Sequence, residues 1–129
     1  MNARSSSQSC YGRCMRTPPR VLLHQPDGSR TPVDPLDVYL LEADGDQTLV
    51  RTRRAERLVD VRPLGELAPR FDLHGFVRIH RSYAVNVARI RTIRPREREG
   101  WEVKLEPPVN RVLPVSEGRV GELWGVFGE

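Results

Sequence analysis

Arginine is the residue type that could do chemistry in this chain, and it is concentrated in one stretch. Residues 76–98 contain seven arginines and a single acid, Glu97, which gives a net charge of +6. Residues 21–50 contain one arginine and six acids, and residues 21–129 as a whole are formally neutral. Guanidinium groups pair well with phosphate and with guanine, so this segregation predicts a face that docks on a polyanion. The near absence of lysine is weaker evidence, because a GC-rich genome also favours arginine codons.

Motifs for catalysis or cofactor binding are absent from the sequence. It has no Gly-rich phosphate loop, GxSxG elbow, HExxH or Cys/His zinc array. His80 could be a base or a metal ligand, but a lone histidine on a strand favours a packed, hydrogen-bonded role. Cys10 and Cys14 could pair or bind metal, although two incidental reduced thiols are the expectation. The sequence therefore predicts a protein that is not an enzyme and uses no cofactor or metal.

The length of 129 residues predicts one domain with a tail. Residues 1–20 are rich in Ser, Arg and Pro and lack apolar periodicity, so they are predicted to be a disordered basic tail. Residues 21–129 are predicted to be the folded domain. No apolar run approaches the roughly 20 residues of a membrane span, and the start of the chain lacks a secretory signal. We therefore expect a cytoplasmic protein without membrane insertion.

Apolar residues alternate with polar ones over many short segments, which indicates strands in hairpin order. An exception is the segment 82–86, where the alternation breaks and a tight helical turn is predicted. Asp34 is expected to cap one helical turn that begins at Pro35. Strands are predicted over residues 21–23, 30–33, 38–42, 47–52, 57–62, 76–80, 90–93, 101–106 and 111–115.

Two segments have the spacing of short amphipathic helices. The first begins at Leu64 and is expected to end at Pro69 or soon after. The second follows Ser116, which can cap it, and is expected to dock Trp124 and Phe127 onto a sheet. Together with the strands, these segments predict a mainly β fold with two short helices.

The segment around residue 80 also resembles a known family. "RIHRSY" is preceded by Phe76 and followed by "VN" and a further Ile, as in the central signature of the LytTR DNA-binding domain. "DVYLLEADGDQTLVRT", "LGELAPRF" and "LPVS" stand in the family's order around it, so the resemblance covers about residues 21–128. It implies an elongated arrangement of small antiparallel sheets with two short helices. It also implies that loops at one edge enter successive major grooves of bent duplex DNA.

The resemblance places a DNA-facing loop at Arg81 and Ser82. Arg81 could fork onto guanine or clamp a phosphate. The contact position on the hairpin falls near Gln47 or Thr48, and Gln47 could read adenine there or be a solvated turn residue. The family has basic residues after the position of Ser116, whereas this chain has Glu117-Gly118, so either Arg119 replaces that contact or the contact is lost. The predicted DNA-contact set is Gln47, Thr48, Arg51, Arg78, Arg81, Ser82, Arg89, Ser116 and Arg119.

The function implied is a sequence-specific, duplex-DNA-binding transcription regulator of bacterial type. Repeated half-sites bound by two copies, as a homodimer on DNA, and a regulatory partner protein are further expectations, as for the output domain of a response regulator. The alternative is a protein-interaction module that keeps the fold but uses the same face for an acidic partner. RNA binding is less favoured, because aromatic residues other than Phe76 and Tyr83 do not interleave with the arginines.

Overall fold

The computed structural model describes residues 20–54 and 57–128. The predictions for the tail before Arg20, including Cys10 and Cys14, lie outside the described residues. Within them the chain forms three small antiparallel sheets and two α-helices. The predicted mainly β fold is therefore confirmed.

The described chain contains ten strands and two α-helices, and nine of the strands lie where the hydrophobic pattern predicts them. The strands are β1 (Val21–His24), β2 (Arg30–Val33), β3 (Val38–Asp44), β4 (Gln47–Thr52), β5 (Arg57–Asp60), β6 (Phe76–His80), β7 (Tyr83–Asn86), β8 (Ile90–Pro95), β9 (Trp101–Leu105) and β10 (Val112–Val115). The helices are α1 (Leu64–Asp72) and α2 (Val120–Val126). The central sheet has the order β5-β4-β3-β7-β6, the small sheet has β10-β9-β8, and β1 pairs with β2 alone.

One face of the central sheet is covered by α1 and by the β1–β2 hairpin. Leu67 and Phe71 of α1 are fully buried there with Leu23 of β1 and Val50 of β4. Apolar residues spaced three and four apart put one side of the helix into this core and leave the other side to water.

The opposite face of the central sheet is covered by the small sheet and by α2. Leu40 of β3 and Ile79 of β6 pack there against Val103 of β9 and Leu123 of α2, and all four side chains are fully buried. The central sheet is therefore apolar on both sides, which is why β3 and β7 read as nearly continuous apolar runs rather than as a clean alternation.

The predicted helical turn over residues 82–86 is wrong. Residues Tyr83–Asn86 form β7, which pairs with both β3 and β6, and the helical turn comes immediately after it at Val87–Arg89. The alternation fails here because Ala84 and Val85 face two different cores, so neighbouring residues are both buried. Asn86 marks the true start of the turn, since its side chain accepts a hydrogen bond from the backbone N–H of Ala88.

Helix α1 ends soon after Pro69, as predicted, whereas α2 differs from expectation in one residue. Helix α1 continues through Pro69, whose position on the exposed side lets the buried residues around it keep their packing. In α2 the fully buried residue is Leu123, whereas Phe127 is 46% exposed, so the predicted docking of Phe127 is wrong. Trp124 is half-buried and packs edge-on against Trp101 of β9, with 4.9 Å between ring centroids. No helix in the described part of the chain could span a bilayer.

Two buried polar side chains tie the layers together. Asn86 donates from Nδ2 to the carbonyls of Pro35 and Val38, at 3.1 and 3.0 Å. Asp60 accepts from the backbone N–H of His24 at 2.9 Å and from the Arg62 guanidinium at 2.8 and 3.0 Å. Burial by itself raises the pKa of Asp60, but these hydrogen bonds outweigh it and hold the pKa below the usual value.

Replacing Asn86 by Ala should lower the free energy of unfolding by about 2 kcal/mol, because two buried carbonyls would lose their donor. Urea unfolding followed by circular dichroism measures this change. Thr92→Ala, at an exposed position of β8, is the control and should change stability by less than about 0.5 kcal/mol. Equal stability of the two variants would contradict the structural role of Asn86.

Stability should fall in acid partly through Asp60. Its pKa is lowered by folding, so its contribution is complete above the unfolded pKa of about 3.9 and is lost as the pH falls through the lower folded value. Asp60→Asn should therefore lower stability at pH 7 and flatten the decline below about pH 4. Thermal unfolding between pH 2 and 7 measures both effects, and a decline as steep as that of the wild type would contradict the assignment.

Candidate nucleic-acid interface

The tight turn between β6 and β7 carries Arg81 and Ser82 at one end of the central sheet. The backbone N–H of Ser82 donates to Nδ1 of His80 at 3.1 Å, so the predicted hydrogen-bonded role of His80 is confirmed. Arg81 is exposed, and its guanidinium forms no ion pair with any residue that the structure describes. The turn therefore combines a fixed backbone with an exposed cationic side chain.

Two long-range backbone hydrogen bonds gather the predicted loops around this turn. The N–H of Ala43 donates to the carbonyl of Ser82 at 2.8 Å, which joins the turn to the β3–β4 hairpin. The N–H of Ser116 donates to the carbonyl of Ile79 at 2.7 Å, which joins β6 to the loop after β10. Three segments far apart in the sequence therefore meet at the same end of the central sheet.

Five of the predicted contact residues lie on these three segments, and we refer to them as the strand-end surface: Gln47, Arg81, Ser82, Ser116 and Arg119. Gln47 is half-buried at the first position of β4, where it pairs with Asp44. Ser116 precedes the helical turn Glu117–Arg119, and its hydroxyl makes no capping hydrogen bond there, contrary to the prediction. Arg119 is half-buried, with Nη1 3.8 Å from Oε1 of Glu122.

Arg78 lies beside the strand-end surface, but its guanidinium faces the protein. Nε donates to the carbonyl of His80 at 3.1 Å, and Nη2 donates to the carbonyl of Arg81 at 2.6 Å. Burial lowers the pKa of Arg78, the nearby Arg119 lowers it further, and Asp72 opposes both effects. No local pattern separates Arg78 from the other arginines, because its partners lie on the turn that follows a register shift between Arg78 and His80.

Thr48 does not belong to the surface. Its side chain is fully buried, and its hydroxyl donates to the carbonyl of Arg62 at 2.9 Å. The alternation along β4 turns Thr48 into the core that contains Val50, whereas Gln47 faces the other way. Of this pair, Gln47 is therefore the residue whose side chain is accessible from outside the domain.

Arg51 and Arg89 lie toward the opposite end of the central sheet from Arg81. Arg89 follows β7 at its far end, where Nε and Nη2 both donate to the carbonyl of Leu36, at 3.0 and 2.7 Å. Its guanidinium also lies 5.0 Å from the ring centroid of Tyr39. Arg51 is half-buried on β4, and its Nε is buried without a hydrogen-bond partner among the described residues. The arginines of the predicted DNA-contact set are thus divided between two ends of the central sheet.

Acidic side chains border the strand-end surface. Asp44 and Asp46 are exposed at the β3–β4 turn, which Gly45 closes with a φ of +60°. Glu42 is paired with Arg111 at 3.4 Å. Burial raises the pKa of Asp72, the Arg78 guanidinium lowers it, and the Glu122 carboxylate raises it. In the described part of the chain, no group of His, Asp and Glu side chains is placed to hold a metal ion.

The comparisons with known proteins identify the family. A sequence model of the LytTr DNA-binding domain matches residues 28–127. The CO-responsive transcriptional regulator RcoM from Rhodospirillum rubrum is 35% identical over 95 residues, which make up 74% of this chain and 39% of that protein. This chain therefore spans about two fifths of that relative.

A solved LytTr DNA-binding domain from Bacillus cereus has the same fold. The two structures superpose with a TM-score of 0.69 at 26% identity, over 85% of this chain and 97% of the other. The sequence match and the structural match lead to one conclusion: this chain belongs to the LytTr DNA-binding domain family.

Proposed function

We propose that this domain reads duplex DNA sequence-specifically through the strand-end surface, as the DNA-binding part of a transcription regulator. Membership of the family makes it a DNA-binding domain of the type found in transcription regulators. Specific readout, the contact residues, binding to repeated half-sites as two copies and control by a partner protein are our proposals. The proposed role involves no enzymatic step.

The observation that carries the proposal is the state of Arg81. Its backbone is held by hydrogen bonds on both sides of the turn, while its side chain is exposed and unpaired among the described residues. A guanidinium whose backbone is held in place can direct two donors at O6 and N7 of guanine, which is a common specific contact in the major groove. Ser82 adjoins it and can donate to a phosphate or a base edge.

The other residues of the strand-end surface suit different contacts with DNA, according to the chemistry of their side chains. Gln47 can form paired hydrogen bonds with adenine, and its half-buried position leaves its side chain few orientations. Arg119 and Ser116 stand on the other side of the turn and suit phosphate contact or a second groove contact. Arg119 directly follows the Glu117-Gly118 departure and is the cation that this loop offers.

Duplex DNA is favoured over single-stranded RNA by the aromatic side chains. Recognition of single strands depends on exposed aromatic rings that stack on bases. Tyr83 is half-buried and packs against His80, with 5.3 Å between ring centroids. Phe127 is the most exposed large aromatic residue in the described chain, and it lies near the end of α2 rather than on the strand-end surface.

Selection of bound sequences from a pool of random duplexes, with the full chain as bait, tests the proposal. We expect an enriched motif and an affinity that falls steeply with salt, because bound phosphates release counterions. Binding without any enriched motif would contradict specific readout and would favour the protein-interaction alternative. Equal competition by single-stranded RNA would contradict the preference for duplex DNA.

Replacing Arg81 by Ala should reduce discrimination between the selected duplex and a scrambled one by about 1–3 kcal/mol, if the guanidinium reads a base. Fluorescence anisotropy with both duplexes measures the change. Arg91→Ala removes an exposed arginine on β8 of the small sheet, outside the strand-end surface, and should leave discrimination unchanged. An equal loss of affinity for both duplexes in Arg81→Ala would instead make Arg81 a phosphate clamp.

Replacing Asp46 by Asn should raise affinity for every duplex by a factor of about two to five at low salt, because an exposed acid beside the surface repels phosphate. The gain should shrink toward 1 M salt, where the Debye length is about 3 Å. Asp37→Asn is the matched control, since Asp37 is exposed near Arg89 at the far end of the sheet. Equal gains in the two variants would show that Asp46 acts only through net charge.

A further inference from the structure

Arg78 has a different environment from the arginine that we assign to readout, although it is only three residues away. It projects from the same face of β6 as Phe76, toward the end of α1. Two of its nitrogens donate to the carbonyls of His80 and Arg81, both on the turn that carries Arg81. Its donors are therefore directed at the backbone of its own chain.

These two hydrogen bonds add to others that hold the backbone of the turn. The N–H of Ser82 is held by His80, and the carbonyl of Ser82 is held by Ala43. The carbonyls of His80 and Arg81 accept from Arg78. Each polar backbone group named here has a partner within the protein, so the direction in which the Arg81 side chain leaves the turn depends on these contacts.

We propose that Arg78 is a positioning residue, which fixes the Arg81 turn for base readout and does not itself bind phosphate. This inference rests on the proposed function, since it concerns how the same surface achieves its specificity. It also revises the prediction from sequence that placed Arg78 in the DNA-contact set.

The chemistry of the side chain explains why arginine is needed at this position. A guanidinium is planar and can bridge two carbonyls with donors in a fixed fork, whereas a lysine ammonium is a point charge on a flexible stem. The charge of Arg78 is partly balanced by the nearby Asp72. Lysine at residue 78 would keep the charge but lose the bridge.

Anisotropy titrations of a double-mutant cycle test the proposal. The proteins are the wild type, Arg78→Lys, Arg81→Ala and the double variant, each measured with the selected and the scrambled duplex. We expect Arg78→Lys to reduce discrimination roughly tenfold when Arg81 is present. In the Arg81→Ala background the same substitution should have little further effect, because residues that act through one another are not additive.

The salt dependence of binding separates positioning from phosphate contact. Arg78→Gln should leave the slope of log affinity against log salt unchanged, whereas loss of a phosphate contact would reduce its magnitude by about 0.9. Arg91→Gln, which removes an exposed arginine outside the surface, controls for the change in net charge. Full discrimination in Arg78→Lys, additive effects in the cycle, or a reduced slope in Arg78→Gln would each overturn the proposal.

A measurement on the wild type keeps the proposal testable even if the variants unfold. Hydrogen exchange of the Arg78 Nε–H, followed by NMR, should be slower than that of Arg91, because the Arg78 Nε–H is bonded to His80. Equally fast exchange at both residues would overturn the bridge. Failure of the proposed function has a different signature, since the wild type itself would then fail to prefer the selected duplex.

Discussion

Burial of the central sheet on both faces is the constraint on which the rest of the structure depends. One face packs against α1 and the β1–β2 hairpin, and the other packs against the small sheet and α2. Side chains in the middle of β3 and β7 therefore have no access to a ligand, and only the strand ends remain for recognition. A two-sided core takes up most of a domain this small, and the surface that we propose for recognition is accordingly built from turns.

The turn between β6 and β7 shows how such a surface can be rigid. Polar backbone groups at a strand end lose their sheet partners and must be satisfied in another way. Here His80, Arg78 and Ala43 supply the partners, and Ser116 anchors the next loop on Ile79. Arg78, His80 and Arg81 are neighbours in one basic segment of the sequence. The first two hydrogen-bond to the backbone of the turn, whereas the Arg81 side chain extends into solvent. That division is the physical basis of our assignment of Arg81 to readout and Arg78 to positioning.

Strand direction decides where the arginines of one sequence segment lie in the fold. Arg81 and Arg89 are eight residues apart in one Arg-rich stretch, yet β7 runs between them and puts them at opposite ends of the sheet. Arg89 uses its donors on Leu36 and lies against Tyr39, so it holds the helical turn at Pro35–Asp37 in place. A high local charge density in the sequence therefore predicts polyanion binding better than it predicts which arginines take part.

The sequence by itself determined the fold class, nearly all of the strands and the family, because alternation, turn residues and an ordered set of motifs are local signals. It also placed the Asp34 cap correctly, since a cap depends on a few adjacent residues. Tertiary structure alone decided that residues 83–86 are a strand. Burial of both faces of the sheet removes the apolar–polar alternation by which a strand is recognised in a sequence. Tertiary structure also decided that Thr48 is buried, that Arg89 lies away from the turn and that Arg78 faces the backbone. Each of these outcomes depends on hydrogen bonds and packing between segments distant in the chain, which no local pattern records.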